Sequence, residues 1–82
     1  MQGLIAGRIA HYVVGEIAQY YNIQEGEEYP MIITRVKDKQ KGIVNGQVFL
    51  DDAVYFAQDV EFKEPSVFGG KYKNTWHLVE RE

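Results

Sequence analysis

Two apolar, β-branched runs stand out along the chain, residues 31–36 and 43–50, separated by the short basic stretch 37–42. Runs of this length bounded by turn residues predict a β-hairpin between Tyr29 and Asp51. Successive strand side chains point to opposite faces. Ile32, Thr34 and Val36 are therefore expected on one face, with Met31, Ile33, Arg35 and Lys37 on the other. On the return strand, Val44, Val48 and Leu50 oppose Ile43, Gln47 and Phe49. Gly42 suits a left-handed position at the end of the turn. Gly46, in mid-strand, predicts a bulge or sharp bend of the kind that curls a small sheet into a barrel.

The segment 4–21 reads two ways. Ile5, Ile9, Val13, Ile17 and Tyr21 recur every fourth residue, as in an amphipathic helix. Gly7 and Gly15 each cost about 1 kcal/mol inside a helix, and Val13-Val14 is β-branched. Strand is favoured for residues 4–14, with Ile5, Gly7, Ile9, His11 and Val13 on one face and Arg8, Ala10, Tyr12 and Val14 on the other. A short helical turn is left open around residues 16–20. Residues 22–28 read as an acidic loop with Gly26. Pro30 fits the opening of a strand, where no ladder donor is needed. Residues 54–56 read as an apolar turn packed on the core, Val60 and Phe62 as a fourth strand, 65–74 as a loop and 75–79 as the last strand. Short strands at this spacing predict an all-β fold, a small antiparallel SH3-like barrel of about five strands, with an OB-like barrel second.

Eighty-two residues allow one domain. A chain this short buries only roughly 60–65% of its unfolded surface. Six Tyr, four Phe and one Trp are more large rings than so small a barrel can enclose. The surplus implies an interface, since Tyr and Trp suit half-wet contacts. The chain has no cysteine, which removes disulfides, thiolate nucleophiles and the usual structural zinc sites. No stretch approaches the ~20 apolar residues of a membrane span, and no basic leader precedes an apolar run. A cytoplasmic setting is expected. The net charge of −3 argues against bulk affinity for nucleic acid.

The runs Gly7-Arg8-Ile9-Ala10-His11-Tyr12-Val13, 29–36, 42–51 and Asn74-Thr75-Trp76-His77-Leu78-Val79-Glu80 resemble a recurrent set of small phage and prophage proteins. Those open on Gly-Arg-Ile-Val-His-Tyr-Val and carry a strand ending in Arg-Val. A Val-Asn-Leu-Gln-Val-Phe run follows, and they close on Gly-Thr-Trp-His-Trp-Pro-Glu. The motifs occur in the same order and touch most of the chain. Here Ala10 replaces the family's Val, Asn45-Gly46-Gln47 stands for Asn-Leu-Gln, and Leu78-Val79 stands for Trp-Pro. The resemblance implies a phage or prophage origin, in the host cytoplasm or with the virion. It carries no activity with it.

No catalytic constellation is present, and the chain is not expected to be an enzyme. Adjacent carboxylates such as Asp51-Asp52 and Glu27-Glu28 point apart on a strand or are solvated in a loop. Gly69-Gly70-Lys71 lacks the spacing of a phosphate loop. His11 and His77 would be neighbours if the first and last strands pair. A metal would then need a third ligand, Glu16 or Glu80; the favoured expectation is a core-edge His11 imidazole, sharing a face with Ile9 and Val13 and hydrogen-bonded to backbone or hydroxyl, with no metal or cofactor. The main expectation is a non-catalytic interaction module that self-associates or docks on a phage or host protein, with Tyr20, Tyr21, Phe68, Tyr72 and Trp76 as contact residues. The alternative is a small nucleic-acid-binding barrel using Arg35, Lys37, Lys39 and Lys41 at the hairpin tip.

Overall fold

The computed structural model describes residues 4–64 and 72–78. Strands β1 (Ile9–Val13), β2 (Glu28–Asp38), β3 (Ile43–Phe49), β4 (Val54–Phe62) and β5 (Thr75–Leu78) are joined by one short helix, α1 (Ala18–Tyr21), between β1 and β2. The strands close into a barrel in sequential order, with β5 returning to pair with β1. This is an all-β, SH3-like barrel. Its sequential order is not the Greek-key order of an OB barrel, so the second-choice architecture is set aside. The pairings are antiparallel except β4–β5, which runs parallel over Glu61↔Thr75 and Phe62↔Trp76.

Alternation fills the interior. Ala10 and Tyr12 from β1, Met31 and Ile33 from β2, Val44 and Val48 from β3, Ala57 and Val60 from β4, and Trp76 from β5 all point inward and are buried. Leu4, Ile17 and Leu50 join the same core cluster from outside the strands. Trp76 is 0% exposed. Its indole Nε1–H donates to the Gly42 carbonyl at 2.8 Å, and its ring meets Phe62 edge-on at 4.9 Å between centroids. As a contact residue Trp76 is therefore a correction: the barrel needs its largest ring as filling.

The opening strand is shorter than residues 4–14. Gly7 turns the chain at φ +93°, and its N–H donates to the Ile33 carbonyl at 2.6 Å. That turn drops Leu4 into the core instead of extending the ladder. Residues 18–21 form the helical turn, ended by Asn22 in the left-handed conformation at φ 52°.

Two bulges overturn expected faces. In β2 the register steps between Ile33 and Arg35, so Thr34 is extra and Val36 turns inward opposite Val44. In β4 the pairing moves from Gly46↔Ala57 to Val44↔Val60. Asp59 takes a left-handed φ of 54° and donates its N–H to the Asn45 side-chain oxygen at 3.0 Å. The extra residue makes Ala57 and Val60 both face inward, three apart. Residues 54–56 are thus part of a continuous β4 rather than a turn packed on the core. Gly46 marks the place where β3 passes closest to β2: a β-carbon there would lie 2.6 Å from the Met31 Cγ and Sδ atoms.

Candidate functional site

Outward positions of an antiparallel sheet with one solvated face are ordinarily polar. Here they are not. Register places Ile9 beside Ile32, Ile32 beside Gln47, and Gln47 beside Phe56. Phe49 pairs with Val54 in the adjoining row. Ile9 is 57% exposed, Val54 53% and Phe56 43%, and Phe49 is also exposed. A largely apolar outer patch, with Gln47 in its middle, thus crosses β1 to β4. None of these residues is among the contact residues expected from the sequence. The signal was present in the triplets Met31-Ile32-Ile33, Val48-Phe49-Leu50 and Val54-Tyr55-Phe56, which are continuous where a strand with one wet side alternates.

The expected contact residues lie elsewhere. Tyr20, on α1, is 75% exposed. Tyr21 is half-buried and packs edge-on against Tyr55 at 6.1 Å. Tyr20, Tyr21 and Tyr55, with Glu16, Glu25 and Lys73, line an open groove of about 660 Å³. Tyr72 is exposed, with the Lys63 ammonium 5.7 Å from its ring centre. Phe68 lies outside the described residues. The structure brings Tyr20 and Tyr21 to one groove and leaves Tyr72 outside its lining.

Of the basic residues, Arg35 and Lys37 lie on β2, and Lys39 and Lys41 lie in the turn between β2 and β3. Arg35, Lys37, Lys39 and Lys41 are all exposed. Lys37 pairs with Asp59 at 3.2 Å, and the Asp38 carboxylate accepts from the backbone N–H of Lys41 at 3.0 Å, fixing the turn. The Lys37–Asp59 pair already partly neutralises the patch.

The first and last strands do pair, and His11 stands directly opposite His77. Their rings meet edge-on with centroids 5.3 Å apart. The third group is Glu28, not the Glu16 considered from sequence; Glu80 lies outside the described residues. Glu28 sits on β2 diagonal to His11, which faces Pro30. The His77 Nε2–H donates to the Glu28 Oε1 atom at 2.6 Å. His11 Nδ1 lies 3.4 Å from the same oxygen. His77 is buried, whereas His11 and Glu28 are partly open to solvent. The expected backbone or hydroxyl partner of His11 is thus replaced by a carboxylate: both rings lie on the outer face around the one Glu28 oxygen. Glu28 was not legible without the register.

Three tyrosines are displaced from their ordinary acidity. Burial, reinforced by Tyr55, pushes the Tyr12 hydroxyl up, and that hydroxyl donates to the Asn74 side-chain oxygen. Tyr29 donates to Glu27 at 2.8 Å, which with partial burial and nearby carboxylates pushes it up to about 12. Burial, and then the neighbouring Tyr21, raises Tyr55. Among the described residues no helix is long and apolar enough to cross a membrane. Comparison with family models, with curated proteins and with solved structures finds no match to this chain.

Proposed function

We propose that this protein is a non-catalytic interaction module of phage or prophage origin, working in the host cytoplasm or with the virion. It binds protein through the outer face of β1 to β4. The observation that carries this reading is the register-linked set Ile9, Ile32, Phe49, Val54 and Phe56 on the outside of a barrel that already has a complete core. A largely apolar exposed patch of this kind is characteristic of contact sites, whereas single exposed rings need no explanation. The phage origin rests on the motif resemblance alone.

The partner is a second copy of the chain or another phage or host protein. Mass by light scattering behind a sizing column, over a tenfold concentration range, separates the two. Self-association predicts a dimer or larger species that Phe56→Glu converts to a folded monomer. A monomer at every concentration directs the search to a heterologous protein, whose capture must be lost in Phe56→Glu. If the charge change alters neither mass nor capture, the outer face is not the contact. Nucleic-acid binding through Arg35, Lys37, Lys39 and Lys41 is the second-ranked reading, weakened by the Lys37–Asp59 pair. Four phosphate contacts would give a log–log salt slope of about −3 to −4, while an apolar protein contact responds weakly to salt.

A further inference from the structure

The cluster His11, Glu28 and His77 is assembled by three strands on one side of the barrel. Antiparallel register sets His77 on β5 opposite His11 on β1. Glu28 on β2 lies two residues from Pro30, the partner of His11, and so shares its face. A ladder fixes such neighbours more firmly than a loop does, because each strand is held by backbone bonds on both sides. We propose that these three residues form a binding site for a divalent transition metal of the zinc class, with His11 Nδ1, His77 Nε2 and a Glu28 carboxylate oxygen as ligands.

The ligand chemistry fits. Two imidazoles and one carboxylate suit zinc and its neighbours in the first transition row, whereas calcium and magnesium prefer all-oxygen sets. The spacing fits too. The three ligand atoms lie within 4.8 Å of one another, and the two nitrogens are 3.4 and 2.6 Å from the shared oxygen. Bonds of about 2.0–2.1 Å in a tetrahedron separate ligand atoms by about 3.3 Å. Closing the widest separation therefore takes side-chain adjustments of no more than about 1.5 Å, within reach of the half-exposed His11 side chain without moving a strand. The convergence of both imidazoles on one Glu28 oxygen sets all three ligand atoms around a common point.

The position defines the site further. Three protein ligands leave a fourth place, and the openness of His11 and Glu28 to solvent gives it to water or to a donor from a partner. The ion would tie β5 to β1 and β2, so its primary effect is structural. This inference stands independently of the interaction surface.

The test uses tag-free protein stripped with a chelator. Zinc chloride alone is titrated in by calorimetry, and melting is followed with and without the ion. The expected result is one equivalent bound at micromolar or tighter affinity, with a melting temperature that rises with free zinc. His11→Ala and Glu28→Gln, checked for folding by circular dichroism, should each weaken binding by at least the roughly 10–100-fold that loss of an outer-shell partner costs. Absence of saturable binding to the native chain overturns the proposal. So does binding that survives unchanged in both folded variants, because the ion then sits elsewhere.

Discussion

Replacing Gly46 by alanine adds one methyl group to a filled part of the barrel interior. The added carbon would lie 2.6 Å from the Met31 Cγ and Sδ atoms and 2.9 Å from the Ile32 carbonyl oxygen. Met31 is fully buried, so its side chain, the closer obstacle, can yield only by displacing its core neighbours; the carbonyl belongs to the β2 ladder. Overpacking of this kind costs about 1–3 kcal/mol. Alanine also narrows the unfolded ensemble, returning about 0.4–1 kcal/mol. The net expectation is a loss of about 1–2 kcal/mol. For a domain of this size, total stability is of order 4–12 kcal/mol. The corresponding fall in Tm is roughly 4–16 °C. Urea and thermal unfolding, followed by fluorescence of the single tryptophan, would measure it. A second variant isolates the cause. Met31→Ala alone should cost about 2–5 kcal/mol, but combined with Gly46→Ala it vacates the space the new methyl needs. The double variant should then be more stable than the sum of the singles by about 1 kcal/mol or more. A Tm unchanged by Gly46→Ala, or strict additivity in the double, would refute the close-approach argument.

Trp76→Ala should cost about 3–5 kcal/mol, because the ring is fully buried and its hydrogen bond to Gly42 is lost with it; denaturant melts by circular dichroism check this, and unchanged melting would contradict its place in the core. Alkaline pH should destabilise the barrel. Tyr12, Tyr29 and Tyr55 are held protonated above their ordinary value of about 10, so the unfolded chain loses those protons first. Their contribution is intact below about pH 10 and is lost as pH rises toward the folded values. Melting curves across that range, with Tyr12→Phe as the variant expected to show a flatter decline, test the sign. A Tm indifferent to pH above 10 would contradict it.

The fold was legible where alternation runs unbroken. His11 and Tyr12 fell on opposite faces of β1, and the alternation of β3 read correctly from Val44 to Leu50; the bulge expected at Gly46 lies instead on the strands beside it, at Thr34 and Asp59. Legibility failed wherever an extra residue shifts the period. Thr34 reverses the parity of β2 beyond Ile33, which sequence alternation alone cannot show. Asp59 does the same in β4, so Ala57 and Val60 looked unrelated and residues 54–56 lost their strand. The sites followed the same rule. Pairing of His11 with His77 could be conditioned on topology, whereas Glu28 needed the register between β1 and β2. The outer apolar face needed three pairings at once. Trp76 was read as contact because ring count alone does not say which rings the core takes.

The return of β5 to β1 also bears on the order in which the barrel assembles. Asp38 and Ile43 meet across a separation of five residues, while Tyr12 and Asn74 are 62 apart. Closing the longer loop costs about 2 kcal/mol more in chain entropy. Chain entropy therefore favours early formation of the β2–β3 hairpin and late docking of β5. If β5 docks after the rate-limiting step, an ion bridging His11, Glu28 and His77 would grip contacts absent from that transition state. It would leave the folding rate nearly unchanged and act almost wholly by slowing unfolding.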